Sequence, residues 1–185
     1  MSEPPTLDYR TDEQLLAAVN RGDLSAFETF YQRHRDFVYR LAWRFTGNEP
    51  DALDVLQAAF EHLLHKAPRL ALTAKATTYL YAIVRSVAVS RHRQRRQVGA
   101  LDRRTAENLT APPPVAAESL SDLAVLLRAL PEAQREVVLM RFVDDLSLED
   151  IAAALEIPIG TVKSRLHHAL TTLRADERTR RYFER

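Results

Sequence analysis

Residues 147–170 read SLEDIAAALEIPIGTVKSRLHHAL, and this stretch decides the fold. Ser147 is placed to cap a short helix, with Asp150 as its third residue. A break around Pro158 follows, because proline lacks the amide hydrogen that a continuing helix would need. A second helix then opens with small and polar residues. The spacing predicts a helix-turn-helix.

The apolar residues of this motif recur at helical spacing, and we expect a small shared core of Ile151, Leu155, Ile157, Val162, Leu166 and Leu170. The face left outside carries Thr161, Lys163, Ser164, Arg165 and His168. In such a motif the second helix enters the major groove, where Arg and Lys reach guanine O6 and N7 or phosphates. The alternative is a helical hairpin with a merely solvated face. The concentration of basic and hydroxyl residues at the helix start favours DNA.

The same spacing of apolar residues extends outward through the chain, and no alternating β-branched stretch competes with it, so we predict an all-α fold. In the N-terminal half, a first helix is capped by Thr11 and ended by Gly22. Three more are predicted at about residues 24–46, 50–66 and 78–96, with 67–77 as a loop. In the C-terminal half, helices are predicted near residues 120–129, 132–143, 148–155 and 159–175.

The apolar faces of the third and fourth helices are expected to pack into the N-terminal core. The third contributes Leu53, Leu56, Phe60, Leu63 and Leu64, and the fourth contributes Leu80, Ile83, Val84 and Val87. Helical periodicity stops between residues 97 and 119, where the run APPP at 111–114 excludes a helix. Fully extended, this linker spans about 75 Å, so the two halves need not touch.

We therefore predict two small helical domains, residues 11–96 and 120–177, joined by a flexible linker at 97–119. Residues 1–10 form an N-terminal tail, and residues 178–185 form a basic C-terminal tail whose role the sequence does not indicate.

Composition excludes several kinds of site. The 185 residues include no Cys and only 4 Gly. Without Cys there is no disulfide, thiolate zinc site or cysteine nucleophile, and the four separated glycines form neither a P-loop nor GxGxxG. The N-terminus lacks the pattern of a signal peptide, and no apolar run approaches the roughly 20 residues that cross a bilayer. We expect a cytoplasmic protein without membrane insertion.

Charge is unevenly distributed although Lys+Arg 26 nearly balance Asp+Glu 25. Between Glu61 and Asp102 there is no acid, while eight Lys and Arg fall in that gap. On the fourth helix one face carries Tyr81, Arg85, Ala88, His92 and Arg95. Cations interleaved with an aromatic suit single-stranded or distorted DNA. A membrane surface or simple solvation are the alternatives.

The third helix has an acidic and amide face instead, made by Asp51, Asp54, Gln57, Ala58, Glu61 and His65. It would repel DNA and indicates either a basic protein partner or solvent. The pair His62 and His65 has no third ligand nearby in sequence, so we predict no metal site. The acid pair at 144–145 occupies a turn, and the pair at 149–150 occupies a helix start. A negative charge at a helix start interacts favourably with the helix dipole. We predict no catalytic residue and no cofactor.

Four segments in this order resemble bacterial sigma factors of the extracytoplasmic-function type, in group IV of the sigma-70 family. They are DALDVLQAAFEHLLHK, TTYLYAIVRSVAVSRHRQRR, LPEAQREVVLMRFVDDLSLEDIAAAL and IPIGTVKSRLHHAL. The resemblance covers residues 11–175, and it implies a non-enzymatic subunit that binds core RNA polymerase and directs initiation at promoters. It also implies an anti-sigma protein as a partner.

The resemblance also implies roles for individual residues. The third helix resembles the region that docks on the clamp helices of the largest polymerase subunit, which would place Asp51, Asp54, Gln57, Ala58 and Glu61 at that contact. The fourth helix and the preceding loop resemble the part that reads and melts the minus 10 element, which assigns this role to Lys75, Tyr79, Tyr81, Arg85, His92 and Arg95. The C-terminal unit resembles the domain that reads the minus 35 element and contacts the flap of the second-largest subunit, with Thr161, Lys163, Ser164, Arg165 and His168 at the DNA.

Four positions depart from the family pattern. Ala58 stands where an acid is usual, Tyr79 where Trp is common, Ser86 where Asn is frequent, and Glu156 where Gly often makes the turn. Two other classes remain open from the sequence. One is a dimeric helix-turn-helix regulator that acts without polymerase, and the other is a sigma-like decoy that sequesters an anti-sigma protein.

Overall fold

The computed structural model describes residues 8–66, 75–98 and 120–176, with side chains described except at 95–98 and 120–123. Within these ranges the chain forms helices and no strand, which confirms the predicted all-α fold. The predicted linker beyond residue 98, the loop residues 67–74 and the C-terminal tail lie outside the described residues. The helices are α1 Asp12–Val19, α2 Leu24–Thr46, α3 Glu49–Lys66, α4 Ala76–Val98, α5 Leu120–Ala129, α6 Glu132–Phe142, α7 Leu148–Leu155 and α8 Ile159–Ala175.

Local signals in the sequence set the helix ends. Thr11 forms a capping box with Gln14 at the start of α1. Gly47 ends α2 in the left-handed conformation at φ 74°, which glycine adopts without a Cβ penalty. The side chain of Asn48 accepts a hydrogen bond from the Asp51 amide at 3.0 Å and caps α3. At these three helix ends the backbone turns where the sequence predicts. Two other predictions are wrong in their bounds. α1 ends at Val19, before the predicted stop at Gly22, and α4 runs from Ala76 to Val98, into the predicted loop on one side and the predicted linker on the other.

Helices α1 to α4 form the N-terminal unit, with α2 packed against the other three. Its core includes the fully buried Phe30, Val38 and Leu41 of α2 together with Leu63 and Leu80. The predicted core face of α3 is wrong at two positions, since Leu53 is 50% exposed and Leu64 is 38% exposed. The stripe that packs inward is instead Ala52, Val55, Ala59, Phe60 and Leu63.

Helices α5 to α8 form the C-terminal unit and contain the predicted helix-turn-helix. Ile151 and Val162 are fully buried, and Leu155, Ile157 and Leu166 pack against them. Leu170 is only half-buried, contrary to the prediction, because the inward stripe of α8 continues through Ala169 and Leu173.

The two units are in contact, although the length of the linker permits them to separate. α4 packs against α7, and one continuous apolar cluster contains residues of both units. The C-terminal unit contributes Val137, Met140 and Leu146 to this cluster, each no more than 1% exposed. The cluster means that the two units share a core in this arrangement.

Candidate nucleic-acid and polymerase interfaces

The helix-turn-helix presents its second helix, α8, to solvent along the predicted face. Lys163, Ser164 and His168 are exposed, and Thr161 and Arg165 are half-buried. The N-cap of α8 is Pro158, which makes no side-chain hydrogen bond to the first turn. Helix N-termini with uncapped amides attract phosphates, so this end of α8 combines side-chain cations with backbone donors.

The turn between α7 and α8 is made by Glu156 in the left-handed conformation, at φ 54° and ψ 42°. Its amide bonds back to the carbonyl oxygens of Ala152 and Ala153, closing α7. At the other end of α7, Ser147 and Asp150 form a capping box, in which the side chain of each residue accepts a hydrogen bond from the backbone amide of the other. The motif therefore keeps its turn with a residue that carries a Cβ. A left-handed backbone is unfavourable in conformational free energy for such a residue.

The predicted DNA-reading face of α4 is partly covered by the C-terminal unit. Arg85 donates a hydrogen bond from Nε to Glu136 Oε1 at 2.8 Å, and Lys75 Nζ lies 3.2 Å from Asp150 Oδ2. Tyr79 is half-buried, and burial raises the pKa of its hydroxyl. His92 is exposed, and Arg95 lies in the helix with a side chain outside the described residues.

Tyr81, also predicted to contact DNA, is 1% exposed. Its ring packs edge-on against Phe45 at 6.1 Å and beneath the Arg44 guanidinium at 5.8 Å, while its hydroxyl donates to Glu136. Burial, reinforced by the Glu136 carboxylate, raises the pKa of Tyr81 far above its ordinary value. The ring cannot stack on a base in this arrangement, so a DNA contact by Tyr81 requires the two units to separate.

A buried ion pair joins α2 to the turn after α6, and sequence reasoning missed it. Arg44 places its two terminal nitrogens 2.6 and 3.3 Å from the two carboxylate oxygens of Asp144. The side chains are 11% and 9% exposed. Burial lowers the pKa of Arg44, but the Asp144 carboxylate outweighs it and raises the pKa overall. A two-pronged Arg–carboxylate contact fixes geometry as well as charge.

Asp150 joins the units at a second point. Besides capping α7, its carboxylate accepts a buried hydrogen bond from the Thr78 hydroxyl of α4 at 3.0 Å. Burial raises the pKa of Asp150, but the hydrogen bonds from Ser147, Thr78 and Lys75 outweigh burial and hold the pKa below its ordinary value. The sequence indicated only the capping role, and nothing in the local pattern points to the partner on α4.

The acidic and amide face of α3 is exposed at Asp54, Gln57 and Glu61, and it is flanked by an apolar groove. Asp54 pairs with Arg91 of α4 at 2.8 Å, and the Gln57 amide donates to Glu61 at 2.8 Å. Asp51 is tied to the helix cap through Asn48, and Ala58 is half-buried. Between α2 and α3 the groove encloses about 440 Å³ and is lined chiefly by Phe27, Tyr31, Leu53, Leu56, Phe60 and Leu64.

The described part of the chain contains no group of three or more His, Cys, Asp or Glu side chains that could hold a metal ion. Within the same ranges, none of the helices combines the length and the apolar character that crossing a membrane demands.

Comparisons with known proteins agree with the two-unit architecture. The sequence profile of sigma-70 region 2 matches residues 30–98, and that of sigma-70 region 4 matches residues 120–173. The extracytoplasmic-function (ECF) RNA polymerase sigma factor SigW of Bacillus subtilis is 31% identical over 170 residues, covering 84% of this chain and 91% of SigW. The chain belongs to the sigma-70 family, in its extracytoplasmic-function group.

Other sigma factors show the same extent of similarity. The sigma-E factor of Streptomyces coelicolor is 32% identical across 84% of this chain and 88% of its own length. Among solved structures, the sigma factor RpoE of Bartonella quintana, in complex with the anti-sigma factor NepR, shares the fold with a TM-score of 0.66. That match has 23% identity and covers 80% of this chain and 94% of RpoE.

The sigma-70 family assigns a broad function to this chain, which is to direct transcription initiation as a sigma factor. The region 2 match contains most of α2 together with α3 and α4, and the region 4 match contains α5 to α7 and most of α8. The exposed face of α8 lies in region 4, and the α3 face and the partly covered α4 face lie in region 2. Sigma factors act as initiation factors and not as enzymes.

Proposed function

We propose that the chain binds core RNA polymerase and brings it to promoters by reading a minus 35 element with α8 and a minus 10 element with α4. The observation that carries this proposal is the ordered pair of regions 2 and 4, with a cationic, uncapped helix start exposed on region 4. We propose domain boundaries at residues 11–96 and 120–177, with the linker between them.

Recognition of the minus 35 element by α8 would use the exposed face of this helix. Lys163 and Arg165 carry positive charge that phosphates or guanine edges attract. Thr161 and Ser164 supply hydroxyl groups that can hydrogen-bond to phosphates or to base edges. His168 lies one turn farther along the helix and extends the same face. Contacts of this kind select duplex sequence in the major groove.

Reading by α4 would involve melting, because its cations and aromatic side chains suit an unpaired strand. Opening a base step costs a few kcal/mol, which binding of the extruded bases would have to offset. The residues proposed for this work are Lys75, Tyr79, Tyr81, Arg85, His92 and Arg95. No covalent chemistry or cofactor is proposed, since RNA synthesis belongs to core polymerase.

Docking on the polymerase would use α3 and the groove beside it. Asp54, Gln57 and Glu61 provide acidic and amide groups, while Leu53 and Leu64 provide exposed apolar surface. A basic, amphipathic helical partner matches this combination, and we propose the clamp helices of the largest subunit as the occupant. The flap of the second-largest subunit is the proposed partner of region 4.

We also propose an anti-sigma protein as regulator, by analogy with the complex of RpoE and NepR, and a cytoplasmic location, where core polymerase resides.

The proposed function is tested by run-off transcription. Purified chain is added to core polymerase and fragments of the source genome, and a defined set of transcripts is expected. Core polymerase alone serves as the control. If the mixture with the chain yields no transcript that core alone does not, the proposal is wrong.

A further inference from the structure

Two acids on the exposed face of α3 already have hydrogen-bond donors within the chain. The carboxylate of Glu61 accepts a hydrogen bond at 2.8 Å from Gln57, a neutral amide of the same helix. The carboxylate of Asp54 accepts one from the guanidinium of Arg91 in α4, also at 2.8 Å. The partner of Asp54 is thus a cation, and this cation belongs to the helix proposed to read the minus 10 element.

Arg91 lies next to the proposed DNA-binding face of α4. This helix contains no Asp or Glu between Ala76 and Val98, so the counter-charge of Arg91 has to come from another helix. Arg91 precedes Arg95 by four residues, which places the two positions about 40° apart around the helix axis. The exposed His92 directly follows Arg91. The side of α4 that carries Arg91 therefore adjoins the side that carries the residues proposed to meet DNA.

The pair between Asp54 and Arg91 is accessible to solvent and easily broken. Its side chains are 59% and 41% exposed. Ion pairs with this much exposure are weak, because water and salt screen them. The helices α3 and α4 also pack through buried apolar residues, which include Leu63 and Leu80 of one continuous cluster. The pair can therefore exchange its partners without loss of the fold.

We propose that Arg91 changes partners during initiation: it holds Asp54 in the free chain, and it is released to promoter DNA when core polymerase takes Asp54. The inference rests on the proposed roles of α3 and α4. It makes Arg91 an internal competitor of polymerase, and it makes Asp54 an internal competitor of DNA. Because either ligand breaks the pair, the second ligand binds without that cost, and linkage makes the effect equal in both directions.

The first test measures affinity for core polymerase by surface plasmon resonance with the full-length chain. Arg91→Gln removes the competitor, Arg91→Lys keeps its charge, and the control Arg93→Gln removes a charge from an exposed position of the same helix. We expect Arg91→Gln to bind about two- to fivefold more tightly than Arg93→Gln, which corresponds to the strength of an exposed ion pair. Arg91→Lys should bind as the wild type does. The gain should shrink in about 0.5 M salt, which screens exposed charges.

The direction of this change distinguishes competition from structural support. If Arg91 only positioned Asp54 for docking, Arg91→Gln would bind polymerase more weakly than Arg93→Gln. If the pair had no role, the two variants would bind equally. Either result would overturn the proposal.

The second test measures binding of the full-length chain to a fluorescently labelled, random-sequence single-stranded DNA of about 20 nucleotides by anisotropy. Asp54→Asn frees Arg91, and Glu28→Gln removes an exposed acid of α2 as the matched control. We expect Asp54→Asn to bind this DNA about two- to fivefold more tightly than Glu28→Gln does. Adding Asp54→Asn to Arg91→Gln should give no gain. Equal binding by the two single variants, or a gain that persists without Arg91, would contradict the exchange.

Run-off transcription separates this inference from the proposed function. If the wild type yields no transcript that core polymerase alone does not, the proposed function fails. If the wild type is active but either binding test gives a contrary result, only the inference fails.

Discussion

Glu156 shows how a single residue can carry strain within a motif that still folds. Its left-handed backbone, at φ 54°, costs a residue with a Cβ about 1–2 kcal/mol. The side chain is exposed, so its replacement removes little packing. We expect Glu156→Gly to raise the free energy of unfolding by about 0.5–1 kcal/mol, since the greater freedom of unfolded glycine offsets part of the relief.

Thermal unfolding followed by circular dichroism measures this change, and a rise in Tm of about 1–4 °C is expected for a chain of this size. Glu156→Ala is the matched control, because it removes the same side chain but keeps the Cβ. If the alanine variant gains as much stability as the glycine variant, the gain comes from the lost carboxylate and not from the backbone.

Arg165 is the second residue whose role can be isolated. Truncating it is expected to weaken binding of a promoter's upstream element by about 1–3 kcal/mol, which is the value of a two-pronged contact with guanine. Gel-shift titration of holoenzyme on a promoter fragment from the run-off experiment gives the measurement. Arg128→Ala removes the same charge from the exposed surface of α5 and is expected to have no such effect.

Binding of core polymerase is expected to be unchanged in Arg165→Ala. If that variant loses polymerase affinity, the face of α8 has been assigned to the wrong partner.

At the scale of one helix, α3 offers a test of polymerase docking. The double change Asp54→Ala and Gln57→Ala removes an acid and an amide from its exposed face. We expect it to lower affinity for core polymerase at least tenfold while leaving the α8 face intact. Surface changes of this kind alter the free energy of unfolding by about 0.5 kcal/mol or less. Surface plasmon resonance on immobilised core polymerase provides the measurement.

The matched control is Gln32→Ala with Asp36→Ala on α2. Gln32 and Asp36 are an amide and an acid, like Gln57 and Asp54, and they are also exposed. Both accept a hydrogen bond from Arg35. The docking assignment is wrong if the α3 pair and the α2 pair bind polymerase equally.

The helices themselves were largely predictable from sequence, because each end has a local cause. Thr11, Gly47 and Ser147 all act at the helix ends where their chemistry predicts. Burial was less predictable where a helix has apolar residues on more than one side. Leu53 and Leu64 of α3 belong to the apolar pattern, yet they line an open groove, since small residues such as Ala52 and Ala59 let α2 and α4 approach the other side.

At the scale of the whole molecule, the contact between the two units could not be predicted from the sequence. Arg44 and Asp144 are 100 residues apart, and a single sequence contains no local signal that pairs them. Each residue also has a sufficient local explanation, Arg44 as a cation near the end of α2 and Asp144 as an acid in a turn. Pairing depends on how the units dock, and local periodicity does not encode docking.

The shared core has a thermodynamic consequence for the whole chain. We expect the wild type to unfold in one transition, with a calorimetric enthalpy equal to the van't Hoff enthalpy. In Asp144→Asn the interface is weakened, so the units should melt separately and the enthalpy ratio should exceed one. Asp145→Asn should behave as the wild type does. Two resolved transitions in the wild type would contradict a shared core.

The Arg44–Asp144 pair also limits how freely sigma factors can be recombined. A chimera that joins region 2 of this chain to region 4 of another family member would bring Arg44 to a foreign surface. Unless that donor supplies an acid at the position of Asp144, the buried guanidinium loses its counter-charge. Designers of hybrid promoter specificities would therefore need to transplant the two residues together, even though neither one lies on a face proposed to read DNA.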